Sequence, residues 1–240
     1  GVSSTPAPVQ AGVPQGSISW GTRWKVLFNP EKTLYMIVSK KKNPLPFPHP
    51  TFNNRPIKRT RSHKHLGSQF TDDFTWREHI ENTIVKANRR IYMMSQVRTL
   101  LPRCSLMSLF KNMVLPIIEY CDIIYDNCPV KSAIGLENVQ RRAGLICTGA
   151  YRHTSNDSLL ADLGWQPLRI RRKTHKLNML FKIANSLTPA YLSALIPRHN
   201  NIRTGLRSSS SSALPIPFSR LSSTRNAYLH STVHLWNSLN

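Results

Sequence analysis

Acidic residues are scarce in this chain. Eleven Asp and Glu stand against 33 Lys and Arg in 240 residues, a formal net charge of +22. A charge that large repels itself in a compact state unless a polyanion neutralises it. Nucleic acid is therefore the first candidate partner, and an anionic membrane surface the second. Long apolar runs are also lacking. None approaches the ~20 residues that span a bilayer, so no transmembrane helix is expected. No signal peptide is visible, and the chain starts at Gly1 rather than Met, so part of the N-terminus is expected to be missing. Cysteine is limited to Cys104, Cys121, Cys128 and Cys147, with no Cys-x-x-Cys pair. That favours reduced thiols in an intracellular protein over a disulfide framework. Aromatic residues make up 8% and hydrophobic residues 40%, low but sufficient for a core.

What is present reads as a short β-containing N-terminal part followed by a mostly helical body. Residues 1–19 are rich in Pro, Ser and Gly and are expected to be largely disordered. Residues 20–28 fit a short helix stopped at Asn29-Pro30. Leu34–Val38, Ile57–Thr60 and Leu66–Phe70 read as strands. Thr75 and Glu78 have capping-box spacing. Apolar residues then recur at Trp76, Ile80, Ile84, Ala87, Ile91, Met94 and Leu101, one face of a helix ended by Pro102. A second helix is expected over Ser105–Ile118, with Leu106, Leu109, Phe110, Met113 and Ile117 inward and Pro116 kinking its end. A third spans Ile134–Cys147, and others lie near 155–163, 167–186 and 225–238. The tract Arg207–Ser212 reads as flexible. The expected division is 1–19, 20–74 (β-containing), 75–200 (helical), 201–224 (Ser-rich linker) and 225–240 (C-terminal helix).

Several motifs stand in order. Gly12-Val13-Pro14-Gln15-Gly16-Ser17 places glycines on both sides of a Pro-Gln pair, which permits a tight turn and close backbone approach to a ligand. Trp20, Trp24, Phe28, Asn29, Pro30, Lys32 and Thr33 follow. Then come His63-Lys64-His65-Leu66-Gly67, Phe74-Thr75-Trp76-Arg77-Glu78-His79-Ile80, Leu115-Pro116-Ile117-Ile118-Glu119-Tyr120, Gln140-Arg141-Arg142-Ala143, Leu163-Gly164-Trp165-Gln166-Pro167-Leu168 and His234-Leu235-Trp236-Asn237-Ser238-Leu239.

This series resembles the reverse transcriptase of non-LTR retrotransposons (LINE elements), in the jockey-like and CR1-like branch. The resemblance covers nearly the whole chain and implies an RNA-directed DNA polymerase of nucleus and cytoplasm. On that resemblance residues 20–240 correspond to the thumb, a helical bundle, and the region after it. Gly12, Pro14, Gln15 and Gly16 correspond to the end of the palm, where they line the nucleotide pocket. The family continues from that loop into an aromatic-Ala-Asp-Asp turn before reaching the Trp-x-x-x-Trp segment. Here Ser17-Ile18-Ser19 leads straight into Trp20. The earlier strand bearing the first catalytic aspartate is also expected to be missing.

Polymerase chemistry uses two Mg²⁺ ions held by converging carboxylates. With that segment missing, the expectation is a fragment that keeps nucleic-acid binding but has no catalytic residue and binds neither Mg²⁺ nor any other metal by itself. Asp72-Asp73 mimics the aspartate turn but precedes a helix, where negative charge suits the helix dipole. Glu119, Asp122 and Asp126 are expected to pair with basic residues. His230 and His234, at i and i+4, have no third ligand nearby and are read as packed or solvated.

Three basic clusters are the candidate nucleic-acid contacts: Lys58, Arg59, Arg61, Lys64 and His65; Lys86, Arg89, Arg90 and Arg98; and Arg169, Arg171, Arg172, Lys173, His175 and Lys176. A thumb is expected to grip RNA, DNA or an RNA–DNA duplex through its backbone without reading sequence. An intact element-encoded polymerase is a further possible partner, and no membrane partner is expected. Two alternatives stand beside this reading: a domesticated, non-enzymatic RNA- or DNA-binding module, and a non-functional pseudogene product.

Overall fold

A computed structural model describes residues 29–39, 48–52, 55–196, 214–216, 218–219, 225 and 227–239. The chain divides into two compact units, Gly1–Phe74 and Thr75–Asn240. The helix expected over 20–28 and the Ser-rich tract lie outside the described residues.

In the first unit the strands are short and lie in three pairs. Strand β1 (Leu34–Tyr35) runs parallel to β4 (Lys58–Arg59), with Leu34 opposite Lys58. Strands β2 (Thr51–Phe52) and β3 (Arg55–Pro56) are antiparallel. Ile57 sits between β3 and β4 and is the buried apolar residue of this unit among the described residues. Strands β5 (Ser62–His65) and β6 (Ser68–Thr71) form a hairpin, His65 opposite Ser68. The turn consists of Leu66 (φ 46°) and Gly67 (φ 85°). A two-residue hairpin turn matches strand twist when both φ are positive, which glycine adopts freely and leucine does not. The expected strand over Leu66–Phe70 is thus corrected: its first two residues are the turn.

Helices build the second unit. Helix α1 (Arg77–Gln96) buries His79, Ile80, Thr83, Ala87, Ile91 and Met94. It starts later than the capping box anticipates. Trp76 occupies the cap position without a side-chain capping bond, and the Ile80 N–H donates to the Trp76 carbonyl at 2.9 Å.

The second expected helix is three pieces. Helix α2 (Arg103–Leu109) widens into a π-type turn over Phe110–Val114 and resumes as α3 (Leu115–Glu119). The Leu115 N–H donates to the Phe110 carbonyl, five residues back. Pro116 explains the widening: it has no N–H, and its ring crowds the carbonyl four residues earlier. The extra residue rotates the apolar face, so Val114 and Ile118 are buried rather than Met113 and Ile117.

After Cys121 (φ 58°) come α4 (Asp122–Tyr125) and then α5 (Val130–Thr148). Gly149, at φ 67°, ends α5 by donating to the Leu145 carbonyl. Helix α6 (Asn156–Leu163) is capped by Ser155, whose Oγ accepts from the Ser158 N–H at 3.1 Å. Helices α7 (Leu168–Ala184), α8 (Ala190–Ser193) and α9 (Tyr228–Asn237) follow.

The core joins α1, α2, α3, α5 and α6 around Ile80, Ile91, Phe110, Val114, Leu136, Val139 and Leu160. Phe110 stacks on Trp165 with ring centroids 4.1 Å apart. Tyr125 is fully buried, and its hydroxyl donates to the Ile118 carbonyl. Burial of each large apolar side chain contributes roughly 1.5–3 kcal/mol, so this cluster dominates the stability of the unit. Among the described residues no helix is long and apolar enough to cross a membrane.

Candidate nucleic-acid interface

The three basic clusters differ in what surrounds them. In the first unit Lys58 and Arg59 form β4, Lys64 lies in β5, and Arg61 precedes it. All four are exposed, and none makes an ion pair among the described residues. His65 is partly buried and its ring meets Phe70, centroids 6.4 Å apart. The carboxylate of Asp73 accepts a hydrogen bond from the Thr71 hydroxyl at 2.6 Å, within the turn that ends the hairpin.

On α1, Lys86, Arg89 and Arg90 are exposed at i, i+3 and i+4, on the side opposite Ile80, Ala87 and Ile91. No carboxylate pairs with them among the described residues. Arg90 lies against the Met93 sulfur, Nη1 to Sδ 3.8 Å. Arg98 is exposed just past the helix end at Gln96. The same surface exposes Tyr92 (67%) and Met93, which charge-based reading passes over. Their signal is positional: Tyr92 stands three residues after Arg89, so the two are neighbours on one helix face.

The third cluster is largely turned inward. Arg171 Nε donates to Glu119, and both side chains are partly buried. This pairing raises the already high pKa of Arg171. Arg172, with its side chain 6% exposed, lies 3.3 Å from Asp126 Oδ1. Lys176, equally buried, reaches Asp126 Oδ2 at 2.9 Å and donates to the Ser231 hydroxyl at 2.9 Å. His175 Nδ1 is 2.6 Å from Asp122 Oδ2. Burial raises the Asp122 pKa, and the His175 contact opposes that rise.

Glu119, Asp122 and Asp126 therefore pair with basic residues, as expected from the basic residues around them. Arg171 and Arg172 differ from the exposed cations of the other clusters: each is paired with a carboxylate, Arg171 part-buried and Arg172 buried, and a phosphate would have to displace that carboxylate. Only Arg169 and Lys173 of that cluster are exposed. The missed signal was periodicity. Leu168, Arg172, Lys176 and Leu180 recur every four residues, placing two cations in an apolar stripe. Gly12, Pro14, Gln15 and Gly16 lie outside the described residues.

Asp122 and Asp126 already have basic partners. Asp126 is held by two cations and Asp122 by His175, so a metal ion there would compete with those pairs. Among the described residues no three His, Cys, Asp or Glu side chains group as metal ligands. His230 and His234 pack ring to ring, centroids 4.8 Å apart. Comparison with family models, with curated proteins and with solved structures found no match.

Proposed function

We propose that this chain is a thumb-like nucleic-acid-binding piece of a non-LTR retrotransposon reverse transcriptase, and that it grips a template–primer duplex without polymerising. The observation that carries the binding half is the exposed Lys86, Arg89 and Arg90 ridge on α1, which no carboxylate pairs among the described residues, in a chain of net charge +22. The helix under the ridge is anchored because its opposite face is core. Exposed cations on one helix face contact phosphates and carry no base readout. The catalytic half rests on the run Ser17-Ile18-Ser19-Trp20, where the family's aspartate turn has no counterpart.

The test measures both halves on the full chain. An RNA–DNA duplex is expected to bind with an affinity that falls steeply between about 50 and 200 mM salt, as counterion release requires. Replacing Lys86, Arg89 and Arg90 together by Gln lowers that salt slope by about 0.9 for every phosphate that the ridge no longer neutralises. Primer extension on poly(rA) with Mg²⁺ or Mn²⁺ is expected to be absent. Salt-insensitive binding overturns the first half. Template-dependent synthesis by purified protein overturns the second.

A further inference from the structure

The connection between α5 and α6, residues 149–155, exposes an aromatic pair that the core does not need. Tyr151 is 75% exposed. His153 leans on it, ring centroids 5.3 Å apart and planes 49° apart. His153 and Arg152 are both exposed.

The connection is nevertheless well tethered. Arg141 of α5 directs its guanidinium onto this backbone. Its Nη2 donates to the Arg152 carbonyl at 2.6 Å and to the Thr154 carbonyl at 3.0 Å. The Thr154 N–H closes a turn onto the Tyr151 carbonyl at 2.9 Å. The Ala150 N–H donates to the Thr148 hydroxyl at 3.2 Å, and Ser155 caps α6. Both ends of the loop are anchored, and an arginine braces its middle.

A large ring held in water by a braced loop is organised for an external partner, because ordering it at the moment of binding then costs little. The surrounding charge selects the partner. Residues 149–156 contain no carboxylate; Asp157, in the first turn of α6, is the first. Arg152 adjoins the ring. Arg142 is exposed along α5, where its Nε makes a 3.4 Å contact to the Asn138 carbonyl.

We infer that Tyr151, backed by His153 and flanked by Arg152, is a stacking site for an unpaired base of a single nucleic-acid strand. The inference rests on the nucleic-acid-binding reading above and adds a second, base-dependent mode to the phosphate contacts of α1. A base presents a flat π face whatever its identity, so such a site tolerates any sequence. A base inside a duplex is stacked on its neighbours and cannot reach the ring. The site therefore discriminates single strand from duplex.

The test compares the full chain with its Tyr151→Ala and Tyr151→Trp variants. Three fluorescent probes are used: a single RNA strand of about 20 nucleotides, longer than the ~4–16 covered by one stacking module; an RNA–DNA duplex; and a strand with the same phosphates but no bases. Tyr151→Ala is expected to weaken single-strand binding about tenfold, within the range that one stacked base contributes. Tyr151→Trp restores it. Duplex affinity and thermal melting stay unchanged, since the side chain is exposed. The base-free strand binds wild type and variant alike.

Equal single-strand affinity in wild type and Tyr151→Ala overturns this inference while leaving the α1 reading intact. A loss that is the same on the base-free strand also overturns it, since the loop then contributes charge or shape and not stacking. Wild-type protein that binds none of the three probes overturns both readings.

Discussion

Helices α1 and α7 look alike in sequence and differ in the fold. Each is long, each has an apolar stripe, and each carries closely spaced cations: Lys86, Arg89 and Arg90 on one, Arg171, Arg172, Lys173 and Lys176 on the other. On α1 the charges fall outside the stripe and remain exposed. On α7 two of them, Arg172 and Lys176, fall inside it. They are tolerated there because Asp126, the residue after α4, pairs with both, while Glu119 of α3 and Asp122 of α4 pair with Arg171 and His175 beside them. A buried charge persists only when it is paired. Three of the chain's eleven carboxylates thus pair with basic side chains of this one helix. Positive charge in this molecule has two settings, exposed and paired inside the fold, and local charge density does not tell them apart.

The sharpest way to break this contrast is to remove the shared carboxylate. Asp126→Ala leaves Arg172 and Lys176 buried without their carboxylate. It is expected to destabilise the protein by about 3–5 kcal/mol, read as a lower urea midpoint. The triple Gln replacement on α1 is expected to move stability by no more than about 0.5 kcal/mol while weakening nucleic-acid binding. A large stability loss from the α1 variant, or none from Asp126→Ala, erases the distinction.

A smaller effect is expected where α7 begins. Its cap residue is Pro167, which has no side-chain acceptor. Glu137 of α5 acts instead, accepting from the Leu168 and Arg169 N–H groups at 3.2 and 2.8 Å. Glu137→Ala removes a helix cap and a favourable charge at the N-terminal dipole. A loss of roughly 1–2 kcal/mol by urea denaturation is expected on those grounds.

The pH response separates the two helices in sign. His79, on the buried face of α1, lies against Tyr125 with centroids 5.4 Å apart. Burial lowers its pKa below the ordinary 6.5, and Lys86 adds to the effect. The unfolded chain then binds the proton more readily, so this contribution is present above pH 6.5 and is lost as pH falls through the lowered value. Asp122, facing α7, has a raised pKa. Its contribution is present below its ordinary carboxylate range and is lost as pH rises through the raised value. Melting temperature is expected to fall as pH is lowered below 6.5. His79→Gln flattens that fall, and Asp122→Asn leaves it in place. A fall that survives His79→Gln assigns it elsewhere.

Much of the helical body was legible because amphipathic periodicity is local. Ile80, Ala87, Ile91 and Met94 are found buried on α1, and α5, α6, α7 and α9 fall close to their anticipated spans. The misses have physical causes. Pro116 acts upstream of itself, so the π-type turn at Phe110–Val114 rotates a face that a constant period places one residue off. The β5–β6 hairpin is built from polar strands, Ser62–His65 and Ser68–Thr71, and turns at a leucine. Neither apolar alternation nor a usual turn pair marks it. The exposed ring of Tyr151 was unreadable because an aromatic residue in a short connection carries no sign of whether it faces core or water.

The amino-acid order by itself determined the excess of positive charge, the mainly helical character with a small β part ahead of it, and the apolar faces that make a core. These follow from composition and from contacts within a few residues. The tertiary structure alone decided which cations remain available. That outcome depends on carboxylates some fifty residues away (Glu119 to Arg171, Asp126 to Lys176). Sequence spacing carries no distance information across such a gap, whereas Coulomb attraction and desolvation act through the folded separation.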